Sequence, residues 1–210
     1  MHMASQAANL DDYIAELEAK LAKGECASAH YNLGLAYMSK RRLEEAKTCF
    51  LRAAESSPTM AEAYVQLGGL AMTEGNLEAC LTFNQAALKA RPRFAVPHGN
   101  IGFCQLQMGN LEEAVKALRK AISLDSKFVQ AYATLGSALF MAGELEESQA
   151  MSQKAVELCP QFGPAWNNLA LVHLQRGQAL EAKQCVDRAQ QYNYEVHPDL
   201  VSEIEAKLAK

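Results

Sequence analysis

Apolar and small residues recur along the chain with a period of 34 residues. In units that begin at residues 27, 61, 95, 129 and 163, the fourth position is large, the seventh is a branched aliphatic and the eighth is Gly or Ala. Residues spaced three and four apart lie on one face of a helix, so this pattern predicts a packed helical stripe. A fixed period of this length indicates that each unit is one supersecondary element.

The second half of each unit predicts another helix that packs against the first. Position 27 is Ala in all five units, and small residues at positions 8, 20 and 27 allow two helix backbones to approach closely. Position 15 is Gly in units two to five, which suits the end of the first helix. Position 32 is Pro in three units, which ends the second helix. Each unit is therefore predicted to be a helix hairpin.

These positions resemble the tetratricopeptide repeat, which has an aromatic residue at position 4, Leu-Gly at 7 and 8, an aromatic residue at 11, Ala at 20 and 27, and Pro at 32. Unit one carries Leu33, Gly34, Tyr37, Ala46, Phe50, Ala53 and Pro58. The resemblance covers residues 27–196 and implies an all-α, right-handed superhelical solenoid of helix-turn-helix hairpins with N- and C-terminal capping helices. Asn84 and Ser152 occupy the usually buried position 24, which predicts looser packing there.

The domain boundaries follow from this register. We expect five repeats at residues 27–60, 61–94, 95–128, 129–162 and 163–196. Residues 9–26 have an amphipathic stripe and are predicted to be a capping helix or the second half of an eroded repeat. Residues 197–210 are predicted to cap the other end, where Ile204 replaces the small residue of position 8. Residues 1–8 are interpreted as a disordered tag remnant.

Composition narrows the class of partner. The chain has 20 basic and 24 acidic residues, a net charge of 20 − 24 = −4, and no basic run, so nucleic acid and anionic membranes are poor partners. No apolar run is long enough for direct membrane insertion, and no signal peptide opens the chain. A cytoplasmic location is therefore expected, although the natural start of the chain is left open.

The sequence offers little chemistry. The 6 cysteines are scattered without the paired spacing of a zinc site, which predicts six reduced thiols, no bound metal and a reducing compartment. His30, His98 and His173 replace aromatic residues of the repeat and are interpreted as packing residues. No nucleophile, zinc-hydrolase or nucleotide-binding motif occurs. We therefore expect no enzyme activity and no cofactor.

The predicted function comes from the face of each first helix that does not pack. In the family, this face lines a concave groove. Its thirty positions contain one charged residue, Glu62. Position 12 forms an apolar ridge (Met38, Met72, Leu106, Phe140, Leu174), and position 6 a polar row rich in amides (Asn32, Gln66, Asn100, Thr134, Asn168). The predicted site residues are Tyr31, Asn32, Leu35, Met38, Gln66, Met72, Asn100, Phe103, Gln107, Thr134, Phe140, Met141, Asn168 and Leu171.

Apolar side chains beside amides suit a neutral, partly apolar peptide or helix from a partner protein. The carboxylate clamp that some family members use for acidic tails is not supported, because its places carry Tyr31, Leu35, Gln66, Val96 and Asn100. Two alternatives stay open. One is a self-associating scaffold whose groove or end face is filled by another protomer, giving a homo-oligomer. The other is a solvated groove with no dedicated ligand.

Overall fold

The computed structural model describes residues 2–24 and 26–209, with side chains from residue 9 onward. Within this part of the chain every regular element is an α-helix. The helices are α1 His2–Leu21, α2 Ala27–Ser39, α3 Leu43–Ser56, α4 Ala61–Thr73, α5 Leu77–Ala90, α6 Ala95–Gln107, α7 Leu111–Leu124, α8 Val129–Met141, α9 Leu145–Leu158, α10 Gly163–Gln175, α11 Ala179–Gln191 and α12 Pro198–Leu208.

The first helix of every hairpin begins at the first residue of a 34-residue unit, from Ala27 in α2 to Gly163 in α10. A residue with a positive φ, in the left-handed region, follows each of these helices. Gly75 has φ 72°, and the amide of Asn76 just beyond it donates to the backbone oxygen of Ala71 at 2.8 Å. This bond satisfies a carbonyl that the helix end leaves without a partner. The helix α1 begins at His2, seven positions before the predicted start at Asn9.

Small residues let the two helices of a hairpin pack closely. A Cβ added to Gly34 of α2 would lie 2.6 Å from the ring of Phe50 in α3. A Cβ added to Gly102 of α6 would lie 2.5 Å from Leu118 in α7. Both distances are shorter than a carbon–carbon contact allows, so position 8 must stay small wherever position 24 is large.

The chain divides into two compact units, Met1–Asn100 and Ile101–Lys210. In the first unit, Leu33, Tyr37 and Phe50 form the core together with Leu67 of α4. The helix α1 covers this core with Ile14 and Leu17, which are both buried. It is also held by polar contacts: the Tyr37 hydroxyl donates to Oε1 of Glu18 at 2.5 Å, and Lys40 pairs with Asp11.

In the second unit, Leu118, Leu135 and Leu169 are among the large buried side chains of the hairpins. The helix α12 follows the last hairpin and adds Leu200 and Ile204 to the core, while Leu208 near its end is 43% exposed. The side chain of Tyr194, in the segment before α12, packs directly on Gly163 and leaves no room there for a Cβ.

Candidate functional site

The predicted site residues fall into two sets, one in each unit. The first predicted surface consists of Tyr31, Asn32, Leu35, Met38, Gln66, Met72 and Asn100. The second predicted surface consists of Phe103, Gln107, Thr134, Phe140, Met141, Asn168 and Leu171. All of them lie on first helices of hairpins, which are rigid elements suited to presenting side chains.

The first predicted surface combines accessible amides with accessible apolar groups. Leu35 on α2 is exposed, and the other six members are half-buried, so each is supported by packing while part of it still meets solvent. Tyr31 is held by the ring of Phe50, with ring centroids 5.6 Å apart. The side chains are therefore positioned by the core and remain available for a ligand.

No member of this surface carries a charge. Glu62, the single charged residue among the unpacked positions, forms an ion pair with Arg91 at 2.6 Å. The guanidinium of Arg91 in turn lies 4.9 Å from the ring centre of Phe94. Because both charges are compensated locally, a partner gains little from carrying a charge of either sign.

Asn84 is a polar residue of the first unit that sequence reasoning misjudged. It is fully buried at position 24, where we expected looser packing. Its Nδ2 donates to the backbone oxygen of Cys80 at 2.8 Å, and its Oδ1 accepts from Nδ2 of Asn100 at 2.9 Å. Gly68 leaves the space that this amide occupies. The expectation of looser packing was wrong here, because the amide satisfies its hydrogen bonds inside the unit.

Ser152 is the residue at position 24 of the fourth repeat, in the second unit. It is fully buried, and Ser148 one turn earlier is also buried and donates to the backbone oxygen of Gly136 at 2.7 Å. The hydroxyl of Ser152 lies against Gly136 and has no hydrogen-bond partner among the described residues. Two small polar side chains of α9, Ser148 and Ser152, thus lie directly against α8 at Gly136.

The second predicted surface is less uniform. Gln107 is exposed, Met141 is 59% exposed, and Phe103, Thr134, Phe140 and Leu171 are half-buried. Of the apolar ridge at position 12, Leu106 and Leu174 are buried in the core and are not part of a surface. The ridge is therefore interrupted, because those leucines pack against neighbouring helices.

Asn168 departs most clearly from its predicted role of binding a ligand backbone. It is buried, its Nδ2 donates to the backbone oxygen of Ala133 at 2.8 Å, and its Oδ1 accepts from the hydroxyl of Ser137 at 3.0 Å. Both ends of the amide are engaged with α8. Asn168 joins two hairpins and is removed from the candidate site. The sequence signal for this contact is Ser137 at position 9 of unit four, where the other units have Leu, Gly or Phe.

The remaining chemistry is sparse. Among the described residues no group of three or more His, Cys, Asp and Glu side chains could hold a metal ion. Burial raises the pKa of the Cys49 and Cys185 thiols to about 11, so the neutral thiol dominates near neutral pH. No helix in the described part combines the length and apolar character needed to cross a bilayer.

Comparison with known proteins places the chain in a class. Models of the tetratricopeptide repeat match residues 27–60, 129–162 and 152–184, and a model described as TPR repeat matches residues 105–143. The chain is a tetratricopeptide repeat protein. None of the curated proteins matches it.

Solved structures similar to this chain include three repeat or assembly proteins. PilW, described as a widely conserved type IV pilus biogenesis factor, aligns with TM-score 0.76, 19% identity, and 87% and 86% coverage of this chain and that one. YrrB, a TPR protein with an unusual peptide-binding site, aligns with TM-score 0.69 and 20% identity, and the alignment covers 91% of this chain and 97% of that one. TTC0263, a thermophilic TPR protein of Thermus thermophilus, aligns with TM-score 0.67 and 19% identity, and the alignment covers 88% of this chain and 100% of that one. The predicted class, an all-α solenoid of helix hairpins, is confirmed.

Proposed function

We propose that this chain is a non-catalytic adaptor that binds a largely uncharged, partly apolar peptide segment on the first predicted surface. The repeat fold itself supports a role in protein–protein interaction. The observation that carries the finer proposal is the accessible row of Asn32, Gln66 and Asn100 beside Leu35 on a face whose one charge, Glu62, is paired with Arg91.

The amides favour an extended partner over a helical one. A helix uses its own backbone N–H and C=O groups internally, so it has few left for side-chain amides to bind. An extended segment leaves these groups free, and it turns alternate side chains toward the surface. Leu35, Met38 and Met72 then offer apolar contacts, with methionine adapting to irregular shapes.

Among similar structures, the description of YrrB names a peptide-binding site, which supports the same kind of ligand for this fold. The absence of charge selection leaves backbone hydrogen bonds and apolar burial to supply the free energy. At about 25 cal/mol per Å² of apolar area, less the cost of ordering the peptide, micromolar affinity is expected. Together with the expected reduced thiols, this role fits a cytoplasmic location.

The proposal is tested with a displayed library of random dodecapeptides and a matched pair of variants. Leu35 and Leu43 belong to the same hairpin and are 36% and 44% exposed, but only Leu35 lies on the first predicted surface. Leu35→Lys should weaken the best recovered peptide about ten-fold or more, by fluorescence anisotropy, because it places an unpaired charge in the interface. Leu43→Lys should change affinity less than about two-fold.

Equal losses in the two variants would move the site away from this surface, and recovery of no peptide would contradict the proposed function. Light scattering of the free chain over a concentration series checks self-association. A mass that rises with concentration in the wild type, but not in Leu35→Lys, would assign the surface to a second copy of the chain instead.

A further inference from the structure

The amide of Asn84 has one orientation that satisfies its hydrogen bonds. The residue is fully buried on α5, and its Nδ2 lies 2.8 Å from the backbone oxygen of Cys80. A backbone carbonyl can only accept a hydrogen bond, so the nitrogen of the Asn84 amide must face it. The oxygen of the same amide consequently faces away from Cys80.

The orientation of the Asn84 amide determines the orientation of the Asn100 amide. Oδ1 of Asn84 accepts a hydrogen bond from Nδ2 of Asn100 at 2.9 Å. Because a side-chain amide is planar, with nitrogen and oxygen on opposite sides of its axis, the nitrogen of Asn100 is directed to Asn84 and its oxygen away from it. A flip of Asn100 would bring two acceptors together and lose this partly buried hydrogen bond.

We propose that Asn84 is a positioning residue that fixes Asn100 with its carbonyl oxygen toward the partner. This rests on the proposed function and adds a requirement: the partner offers an N–H group where it meets Asn100. A backbone amide of an extended peptide meets this requirement. Proline, or any N-methylated residue, does not, because neither has an N–H to donate.

Another hairpin of the chain shows which substitution of Asn84 should remove its effect on Asn100 and still preserve the helix packing. Leu118 occupies in α7 the place that Asn84 occupies in α5, and it packs against Gly102 as Asn84 packs against Gly68. Asn84→Leu should therefore fold and pack. It replaces a hydrogen-bonded amide with a side chain that has no acceptor for Asn100.

The first readout uses the free protein. In the wild type, NMR should show one Nδ2 proton of Asn100 shifted downfield and slow to exchange, as expected for a donor held by a buried acceptor. In Asn84→Leu this signature should disappear while the circular dichroism spectrum is unchanged. An Asn100 side-chain signal that is identical in the two proteins would overturn the positioning role.

The second readout uses the best peptide from the displayed library and its singly N-methylated analogues. One N-methylation should lower wild-type affinity about ten-fold, the loss expected for one hydrogen bond. In Asn84→Leu and in Asn100→Ala, the same methylation should change affinity less than about three-fold. Combining the two substitutions should add nothing further, since Asn84 acts only through Asn100.

The outcomes separate the two proposals. A peptide that binds at the first predicted surface but tolerates N-methylation at every position overturns the orientation of Asn100 and leaves the proposed function standing. Sensitivity that persists in Asn84→Leu shows that Asn84 is only structural. Recovery of no peptide contradicts the proposed function, and an unchanged Asn100 signal in Asn84→Leu contradicts the positioning role independently.

Discussion

Arg41 holds a backbone conformation that the other hairpins give to glycine. Its φ is 57°, and the four glycines at the same position of later hairpins have φ between 72° and 83°. A residue with a Cβ is disfavoured in this left-handed region by about 1–2 kcal/mol. Glycine avoids that penalty, although it loses more entropy on folding, by about 0.5–1 kcal/mol. The turn of the first hairpin is therefore strained.

Arg41→Gly should raise the free energy of unfolding by about 0.5–1 kcal/mol, the difference between these two terms. Urea denaturation of the two proteins measures it. Gly75→Ala provides the matched control, and it should destabilise the chain, since it introduces a Cβ at φ 72°. A loss of stability in Arg41→Gly would show that the arginine side chain contributes more than the turn costs.

Because of Tyr37, the stability of the fold depends on pH in the alkaline range. Its hydroxyl donates to the Glu18 carboxylate, and this bond, together with burial, raises the pKa of Tyr37 to about 12. In the unfolded chain the phenol ionises near pH 10. The neutral form is thus favoured by folding, and its contribution is complete below pH 10 and is lost as the pH rises from 10 to 12.

We expect the stability advantage of wild type over Tyr37→Phe to shrink across that range, as measured by urea denaturation at pH 8, 10 and 11. Tyr37→Phe keeps the ring in the core and removes only the titrating hydroxyl. A difference between the two proteins that stays constant with pH would mean that Glu18 does not hold the hydroxyl.

At the scale of elements, repetition explains what the sequence could predict. Each packing position is seen five times, so the helix starts at Ala27, Ala61 and Val129 could be placed to the residue. Contacts that occur in one repeat alone could not be predicted from the sequence. Asn168 occupies the same repeat position as Asn32, yet it is buried and accepts a hydrogen bond from Ser137, and the other repeats have no serine at the place of Ser137. The hydrogen bonds that Asn84 makes to Cys80 and Asn100 escaped prediction for the same reason.

The helix α12 covers the last hairpin through Ile204, which is 2% exposed. Ile204→Asp should lower the free energy of unfolding by about 3–5 kcal/mol, since it removes a packed side chain and buries a charge without a partner. Leu208→Asp, in the same helix at 43% exposure, is the matched control and should cost less than about 0.5 kcal/mol.

Thermal unfolding followed by circular dichroism compares the two variants, and deletion of residues 197–210 extends the test. If Ile204→Asp and Leu208→Asp melt at the same temperature as the wild type, α12 does not stabilise the last hairpin. Aggregation of the deleted protein would agree with an exposed apolar face left by the missing helix.

At the scale of the whole chain, charge is nearly balanced, and part of it is paired among the described residues. The 20 basic and 24 acidic residues leave a net charge of −4. Several exposed pairs join successive hairpins, such as Lys47 with Glu74 at 2.8 Å and Arg119 with Glu147 at 2.7 Å. Exposed pairs of this kind add little stability, but they reduce the charge that a partner could recognise.

The central claim is that the first predicted surface binds a neutral peptide by backbone hydrogen bonds and apolar burial. Isothermal titration calorimetry with the best displayed peptide, at about 50 and 500 mM salt, tests it most directly, because exposed charges more than about one Debye length apart are screened across this range. We predict affinities that agree within about three-fold for the wild type, and a weaker complex for Leu35→Lys at both salt concentrations. A steep loss of affinity with salt would point to a charged surface instead, and full affinity in Leu35→Lys would show that the peptide does not bind the first predicted surface.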